Sequence, residues 1–307
     1  MKATTPALQA SLLLALFQAA TGSKLVVATE KGLWRWDATT GVRYEAKFKE
    51  AMNVNGRMTA AMTVDRVSGR IFYSHHVSTQ NVTMVQQMYD RGDLKLKQGE
   101  KKKMAIHSTV RGLAYDEETS TLYWTNMVDP SIWRCQLNGA DCTEELFITL
   151  KGQDPAAISI HEGHLYWTDN NHTSPSINRI HIWEQKSSVI VRDGLFMPNG
   201  IAVDPSGRGR IYWTDDSEGD AYKIESADTD GGNRRTELRG FYQSPMDLAF
   251  SPPTPEAPKG ALYWSDWAND AVWTLDLDAT DRTPRRLPTL NGHLPMGLVV
   301  LQATDSA

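Results

Sequence analysis

The chain is poor in cysteine, with two residues in 307, and it has no large excess of charge of either sign. Its 32 Lys and Arg against 37 Asp and Glu give a formal net charge of −5, so nothing indicates a nucleic-acid partner. Two thiols alone do not make a zinc site. The Gly-X-Ser-X-Gly and His-Glu-X-X-His motifs of hydrolases are also absent. We therefore predict no cofactor and no metal.

Long apolar runs are missing except near the start of the chain. An apolar stretch from Ala7 to Ala20 follows Lys2 and ends in small residues, which predicts a signal peptide over residues 1–22. No later stretch approaches the roughly 20 apolar residues that a membrane span needs. The sequence thus predicts a secreted protein with no membrane span in this chain, or a cell-surface protein if a longer form carries one.

A four-residue pattern of two aromatics, a hydroxyl residue and a polar residue recurs along the chain. Two copies read Tyr-Trp-Thr-Asp, and three others are variants of it; we call all five tetrads. They occupy residues 72–75, 123–126, 166–169, 212–215 and 263–266. Their starts are 51, 43, 46 and 51 residues apart, and a period of about 40 to 50 residues is typical of β-propeller blades.

A second apolar element precedes each tetrad, as the first strand of a blade would. Its copies occupy residues 62–65, 113–116, 158–161, 201–204 and 248–250. A sixth copy, 298–300, has no tetrad after it, whereas 25–29 occupies a tetrad position with no element before it. We therefore predict an all-β, six-bladed β-propeller over residues 23–302, followed by a short tail, 303–307. The C-terminal strand should pair into the first blade and close the ring.

The polar residues of the tetrads have two interpretations, scaffold or catalysis. Successive side chains of a strand face opposite sides of the sheet, so the aromatics and their polar neighbours separate. Repeated polar positions in a propeller usually tie strands together. We predict a scaffold role for them and no catalytic residues.

Cysteine and asparagine positions agree with secretion. Cys135 and Cys142 flank Asn138-Gly139, a type I′ hairpin signal that would place the two thiols opposite each other. A disulfide is predicted, with Cα atoms about 5.5 Å apart at a hydrogen-bonded pair. Asn81 and Asn171 each begin a glycosylation sequon, which predicts glycans on exposed loops.

The tetrads and the preceding Ile-Ala-Val-Asp element at 201–204 resemble low-density-lipoprotein-receptor class B propellers, also called YWTD propellers, over about residues 24–301. Within that class, residues 171–175, 198–204 and 271–273 are most similar to cueball-type insect proteins. The resemblance implies a receptor-like extracellular protein linked to germ-cell development, with a dedicated chaperone in the endoplasmic reticulum. Cueball-type proteins continue into epidermal-growth-factor-like modules and a membrane span, and this sequence stops at Ala307.

The central mouth of the propeller is the predicted binding site for an extracellular protein ligand. Asn199 lies two residues before Ile201 and should face the mouth; by register its equivalents are Ala60, Arg111, Ala156, Met246 and Met296. Asp154 and Asp247 lie two and one residues out of register. A metal-dependent lactonase or esterase would need several oxygen ligands here, so this hydrolase remains the alternative. The predicted mouth comprises Arg111, Asn199, Met246, Asp247, Met296 and Trp267.

Three further features bear on partners. Trp267 is either an exposed aromatic anchor or part of the core between blades. Arg91-Gly92-Asp93, predicted at a hairpin tip between 82–89 and 94–97, is either an adhesion tripeptide or a tight turn. The lysine-rich loop 97–103 is either a site for sulfated glycans or acidic lipid or a solvated surface. A matrix or adhesion component is therefore a second alternative.

Overall fold

The computed structural model describes residues 24–29, 32–37, 43–47, 61–77, 82–89, 104–106, 110–138, 142–204, 206, 209–217, 219–254, 257–288 and 293–301. Every regular element in these ranges is a β-strand, and the strands form a β-propeller. Among the described residues, no helix has the length and apolar character needed to cross a membrane. The all-β propeller prediction is confirmed.

The strands form six antiparallel sheets of four strands each, within the described ranges. Sheet 1 contains β1 (Lys24–Thr29), β2 (Gly32–Asp37), β3 (Arg43–Lys47) and β24 (Pro295–Leu301). Sheet 2 contains β4 (Met62–Asp65), β5 (Arg70–Val77), β6 (Val82–Tyr89) and β7 (Met104–Ile106). Sheet 3 contains β8 (Val110–Asp116), β9 (Thr121–Asn126), β10 (Ser131–Gln136) and β11 (Glu145–Thr149).

The remaining sheets follow the same order along the chain. Sheet 4 contains β12 (Pro155–His161), β13 (His164–Asp169), β14 (Ser176–His181) and β15 (Ser187–Val191). Sheet 5 contains β16 (Met197–Asp204), β17 (Arg210–Asp216), β18 (Ala221–Asp228) and β19 (Arg235–Phe241). Sheet 6 contains β20 (Pro245–Ser251), β21 (Ala261–Asp266), β22 (Ala271–Asp276) and β23 (Arg285–Arg286).

Sheet 1 joins the two ends of the described chain. Strand β24 pairs antiparallel with β1, with Val299 opposite Val26 and Leu298 opposite Val27. The predicted pairing of the last apolar element with the first strand is therefore observed. The first strand of each of the other five sheets is the predicted apolar element, and the second strand carries the tetrad.

The hydrophobic core lies between neighbouring sheets. One cluster joins Tyr166 and Ile177 of sheet 4 to Ile201 and Trp213 of sheet 5, and five similar clusters occur in the described residues. The tetrad tryptophans are the largest fully buried side chains: Trp124, Trp167, Trp213 and Trp264. Burying both faces of each sheet explains why aromatics recur in the tetrads.

In four of the five tetrads, the hydroxyl links its own sheet to the next one. Thr168 Oγ1 accepts the Ala157 N–H of sheet 4 and donates to the Asn199 carbonyl oxygen of sheet 5, at 3.0 and 2.5 Å. The same two-sided contact is made by Thr125, Thr214 and Ser265. These hydroxyl groups therefore tie strands and neighbouring sheets together.

The disulfide is present, but the hairpin around it differs from the prediction. Cys135 and Cys142 are bonded, with Cα atoms 5.6 Å apart. The pairing of β10 with β11 ends at Arg134 opposite Glu145, so Cys142 lies before the strand rather than opposite Cys135 within it. The observed register, with Arg134 opposite Glu145, differs by two residues from the predicted one, which would place Arg134 opposite Thr143.

Several predicted features lie outside the described residues. These are the signal peptide 1–22, the tail 303–307, Ala60, the sequon at Asn81, the tripeptide Arg91-Gly92-Asp93 and the loop 97–103. On the side away from β5, the described partner of β6 is β7, which pairs with it over Thr83–Val85. The predicted partner strand, 94–97, is also outside the described ranges.

Candidate functional site

A cavity of about 320 Å³ runs along the innermost strands of the propeller, and all six predicted mouth residues line it. Arg111, Asn199 and Trp267 line the end at which these strands begin, which we call the mouth. Glu117 and Glu162 line the opposite end. The residues that the predicted register assigns to the mouth therefore line one cavity, although they are up to 185 positions apart in the sequence, from Arg111 to Met296.

Arg111 and Asn199 form the polar centre of the mouth. Arg111 Nη2 donates to Asn199 Oδ1 at 3.3 Å, the one hydrogen bond of this guanidinium to a described residue. Burial lowers the pKa of Arg111, and the negative charges of Asp154 and Asp247 oppose that effect. Arg111 therefore places a cation at the cavity wall, since a guanidinium group stays protonated in proteins.

Asn199 is held firmly in place by its neighbours. Its Oδ1 also accepts from Asn170 Nδ2 at 3.1 Å, and its Nδ2 donates to the Met197 carbonyl oxygen at 3.3 Å. The side chain is 2% exposed. Sequence reasoning placed Asn199 at the mouth but missed Asn170, which orients its amide.

Asp247 is a half-buried carboxylate beside the cavity, and it is bonded to backbone. Its Oδ1 accepts the Leu248 N–H and its Oδ2 accepts the Leu298 N–H, both at 2.9 Å. Burial raises the pKa of Asp247 to about 6, although the two hydrogen bonds and Arg111 favour the charged form. The group thus joins sheet 6 to the closing strand of sheet 1.

The remaining mouth residues are apolar or aromatic. Met296 is buried in the core and Met246 is half-buried at the cavity wall. Trp267 is also half-buried and lines the cavity, and its backbone N–H donates to the Ser244 carbonyl oxygen at 3.0 Å. Its Nε1 is buried and has no hydrogen-bond partner among the described residues. The tryptophan is therefore neither fully exposed nor fully part of the core.

The acidic residues of the tetrads accept hydrogen bonds from backbone N–H groups of their own sheets and of the adjoining loops. Asp169 accepts the Asp154 and Asn171 N–H groups, and Asp215 accepts those of Phe196 and Met197. Within the described ranges, no group of three or more His, Cys, Asp and Glu side chains is arranged to hold a metal ion.

Exposed aromatics on the mouth side were missed by the sequence analysis. Phe241 and Tyr242 are 67% and 74% exposed and precede β20, at the same end of sheet 6 as Trp267. Tyr242 has a φ of 63°, fixed by hydrogen bonds to Asp220 and Asn269. Trp183, 69% exposed, lies in the turn between β14 and β15 at the opposite end. No repeat pattern marks these loop positions in the sequence.

The second sequon lies on the mouth side of sheet 4. Asn171 follows β13, and its Nδ2 donates to the Gly152 carbonyl oxygen at 2.7 Å. Its Oδ1 accepts from the Thr173 N–H and hydroxyl at 2.9 and 2.7 Å. A glycan there remains a prediction, and it would project from the same face as the mouth.

Sequence comparisons find proteins that are similar to part of this chain. Residues 209–249 match the family described as low-density lipoprotein receptor repeat class B. The chain is 31% identical over 172 residues to protein cueball of Drosophila yakuba and 32% identical over 173 residues to that of Drosophila grimshawi. The matches cover 55% of this chain and 25% and 27% of those relatives, so the chain spans about a quarter of their length. The predicted resemblance is confirmed.

Comparison with solved structures supports the fold. A chain in the crystal structure of the nidogen–laminin complex matches with a TM-score of 0.72 at 18% identity, covering 92% of this chain and 100% of that one. TolB from Acinetobacter baumannii matches with a TM-score of 0.68 at 11% identity, covering 95% of this chain and 69% of that one. Both similarities concern the propeller architecture alone.

Proposed function

We propose that this chain is a secreted, six-bladed propeller of the YWTD type that binds an extracellular protein at the mouth of its central cavity. The role is non-enzymatic and receptor-like. The observation that carries the proposal is the convergence of Arg111, Asn199, Met246, Met296 and Trp267 on one cavity. Similarity to cueball supports a setting in germ-cell development and folding assisted by a chaperone of the endoplasmic reticulum.

The chemistry of the mouth suits a protein surface. A tryptophan and an arginine are the residue types that most often dominate binding energy at interfaces. Methionine side chains adapt their shape to a partner. The cavity thus offers a polar centre at Arg111 and Asn199 beside an apolar wall, and a protruding loop could fill it.

A structural relative supports a protein as the ligand, because that relative was crystallised as the nidogen–laminin complex. The hydrolase and the matrix-component alternatives have no comparable support. The first would require converging metal ligands at the mouth, and the second depends on Arg91-Gly92-Asp93 and the loop 97–103, which lie outside the described residues.

The test is affinity capture from extracellular fluid of the source tissue, with the mature glycosylated protein as bait. We expect one partner to be retained by the wild type and by Trp183→Ala, and lost with Trp267→Ala. Trp183 is the matched control because it is an exposed tryptophan at the opposite end of the propeller. A partner retained equally by both variants, with unchanged thermal stability of each, would place binding away from the mouth.

A further inference from the structure

The innermost strands turn alternate backbone N–H groups towards the cavity. In β12 the Ala157 N–H points into the sheet, where it donates to Thr168 Oγ1. The next N–H, that of Ile158, therefore points to the opposite edge of the strand, which lines the cavity. By the same reasoning, the N–H groups of Leu113 and Ile201 also face the cavity. The N–H groups just before them, those of Gly112 and Gly200, donate into their own sheets, to Thr125 and Thr214.

Equivalent N–H groups from all six innermost strands form one layer around the cavity, which we call the amide ring. Every residue that contributes to it lines the cavity. Its members are the N–H groups of Met62, Leu113, Ile158, Ile201, Leu248 and Leu298. Four carbonyl oxygens close to this layer on the mouth side accept bonds from tetrad hydroxyls of neighbouring sheets: those of Ala156, Asn199, Pro245 and Met296.

One side chain of the protein already occupies part of this ring. The carboxylate of Asp247 accepts the N–H groups of Leu248 and Leu298, each at 2.9 Å. These two bonds confirm directly that ring N–H groups face away from their own sheets. They also identify the chemistry that the ring accepts, which is a carboxylate bridging two adjacent N–H groups.

Elsewhere the ring is left open by small residues. The positions equivalent to Asp247, each of which precedes a ring residue, hold Ala61, Gly112, Ala157, Gly200 and Gly297. A side chain is tightly restricted at two of them, because a Cβ on Gly112 would lie 2.8 Å from Ile158 N and one on Gly200 would lie 2.6 Å from Leu248 N. Among the described residues, no side chain accepts the N–H groups of Leu113, Ile158 or Ile201.

We propose that the open side of the amide ring, at Leu113, Ile158 and Ile201, is a binding site for a small monocarboxylate. The anion would bridge two adjacent N–H groups as the Asp247 carboxylate does. Arg111, one residue before Gly112, also lines the cavity and supplies the compensating positive charge. This site lies deeper than the mouth and does not depend on the protein partner proposed above.

Titration of the ¹⁵N-labelled protein with sodium acetate, against sodium chloride at equal ionic strength, tests the site. We expect saturable amide shifts at Leu113, Ile158 and Ile201. The neighbouring amides of Gly112, Ala157 and Gly200 are internal controls, since they donate within their own sheets, and should shift much less. Equal small shifts at both sets, or none at the ring, would overturn the proposal.

A blocking variant and a second anion complete the design. Ala157→Asp places a carboxylate where Asp247 stands in sheet 6, so it should bond Ile158 and Ile201 and abolish the acetate-dependent shifts. Acetate shifts that persist at Ile158 in a folded Ala157→Asp protein would contradict the assignment. Sulfate that binds more tightly than acetate would overturn the carboxylate class. Because no partner is added, failure here leaves the capture experiment unaffected.

Discussion

Sheets 4 and 5 carry the same tetrad, Tyr-Trp-Thr-Asp, yet their aspartates have different surroundings. Asp169 lies opposite Ser176 and accepts its hydroxyl at 3.3 Å. Asp215 lies opposite Lys223, whose Nζ is 3.2 Å from its carboxylate and 3.1 Å from Glu225. Burial raises the pKa of both aspartates, and in sheet 5 the lysine opposes that rise.

The difference originates in the strand after the tetrad, not in the tetrad. In sheet 5 the charged chain continues through Glu225 to Arg234 Nη2, at 2.6 Å, and Arg234 lies over the ring of Trp213. Lys223 Nζ also donates to the Gly194 carbonyl oxygen, in the loop that leads to the mouth. An identical motif can therefore be bonded by uncharged donors in one sheet and be part of an ion network in the next.

The largest effect is expected from breaking the network in sheet 5. Lys223→Ala leaves the fully buried carboxylate of Asp215 and the nearly buried Glu225 without this cation. We expect the free energy of unfolding to fall by about 3 kcal/mol, because an unpaired buried charge is costly. Urea unfolding followed by tryptophan fluorescence measures it. A loss below about 1 kcal/mol would show that the network is solvated.

Asp247 extends the comparison to a carboxylate whose hydrogen bonds, among the described residues, come from backbone N–H groups only. Its pKa of about 6 in the folded protein exceeds the value of about 4 in an unfolded chain. Between these values the folded state holds a proton that the unfolded state has released, so this group's contribution to stability falls as pH rises through about 6.

Asp247→Asn should remove that dependence. The difference in unfolding free energy, wild type minus variant, should decrease by about 2 kcal/mol between pH 4 and pH 7. Parallel urea titrations at several pH values measure the difference, and a flat difference would show that the carboxylate has an ordinary pKa.

The hydroxyl links between sheets should be worth less than the ion network. Thr168→Val removes both the acceptor for Ala157 N–H and the donor to the Asn199 carbonyl oxygen. We expect a loss of about 2 kcal/mol, since two buried backbone groups lose their partner. Thr214→Val, whose bond to the next sheet is longer at 3.3 Å, should cost less. Thermal unfolding of both variants checks the order.

The smallest effect is expected from the neutral partner in sheet 4. Ser176→Ala removes one of the hydrogen bonds to Asp169 but leaves those from the Asp154 and Asn171 N–H groups. A loss of about 1 kcal/mol is expected, well below that of Lys223→Ala. Similar losses for the two variants would remove the distinction between the sheets.

Sequence reasoning succeeded where a repeat imposes its own register. Counting from the tetrads placed Arg111, Asn199 and Met246 at one cavity, because repeated strands in the same register bring equivalent positions to the same level. Asp247 was recognised only as an acid one residue out of register. Comparing it with Ala61, Gly112, Ala157 and Gly200 would have identified it as the one large residue in a row of small ones.

The hairpin at the disulfide and the loops with exposed aromatics could not be predicted from the sequence. The Asn138-Gly139 signal predicts the ideal two-residue turn, but the observed pairing of β10 with β11 is offset from that register by two residues. The loops that expose Phe241 and Tyr242 have no repeated pattern. Their conformation is set by bonds to Asp220 and Asn269, which lie in other turns.

The ring of sheets cannot close until the ribosome has synthesised β24, which pairs with β1. Lys24 is paired with Leu301, a separation of 277 residues. At roughly 5 to 20 residues per second, about 15 to 55 seconds pass between synthesis of the first strand and of its partner. Throughout that interval one edge of β1 has no neighbour and the central cavity has no sixth wall. A factor that protects nascent propellers would act within this window.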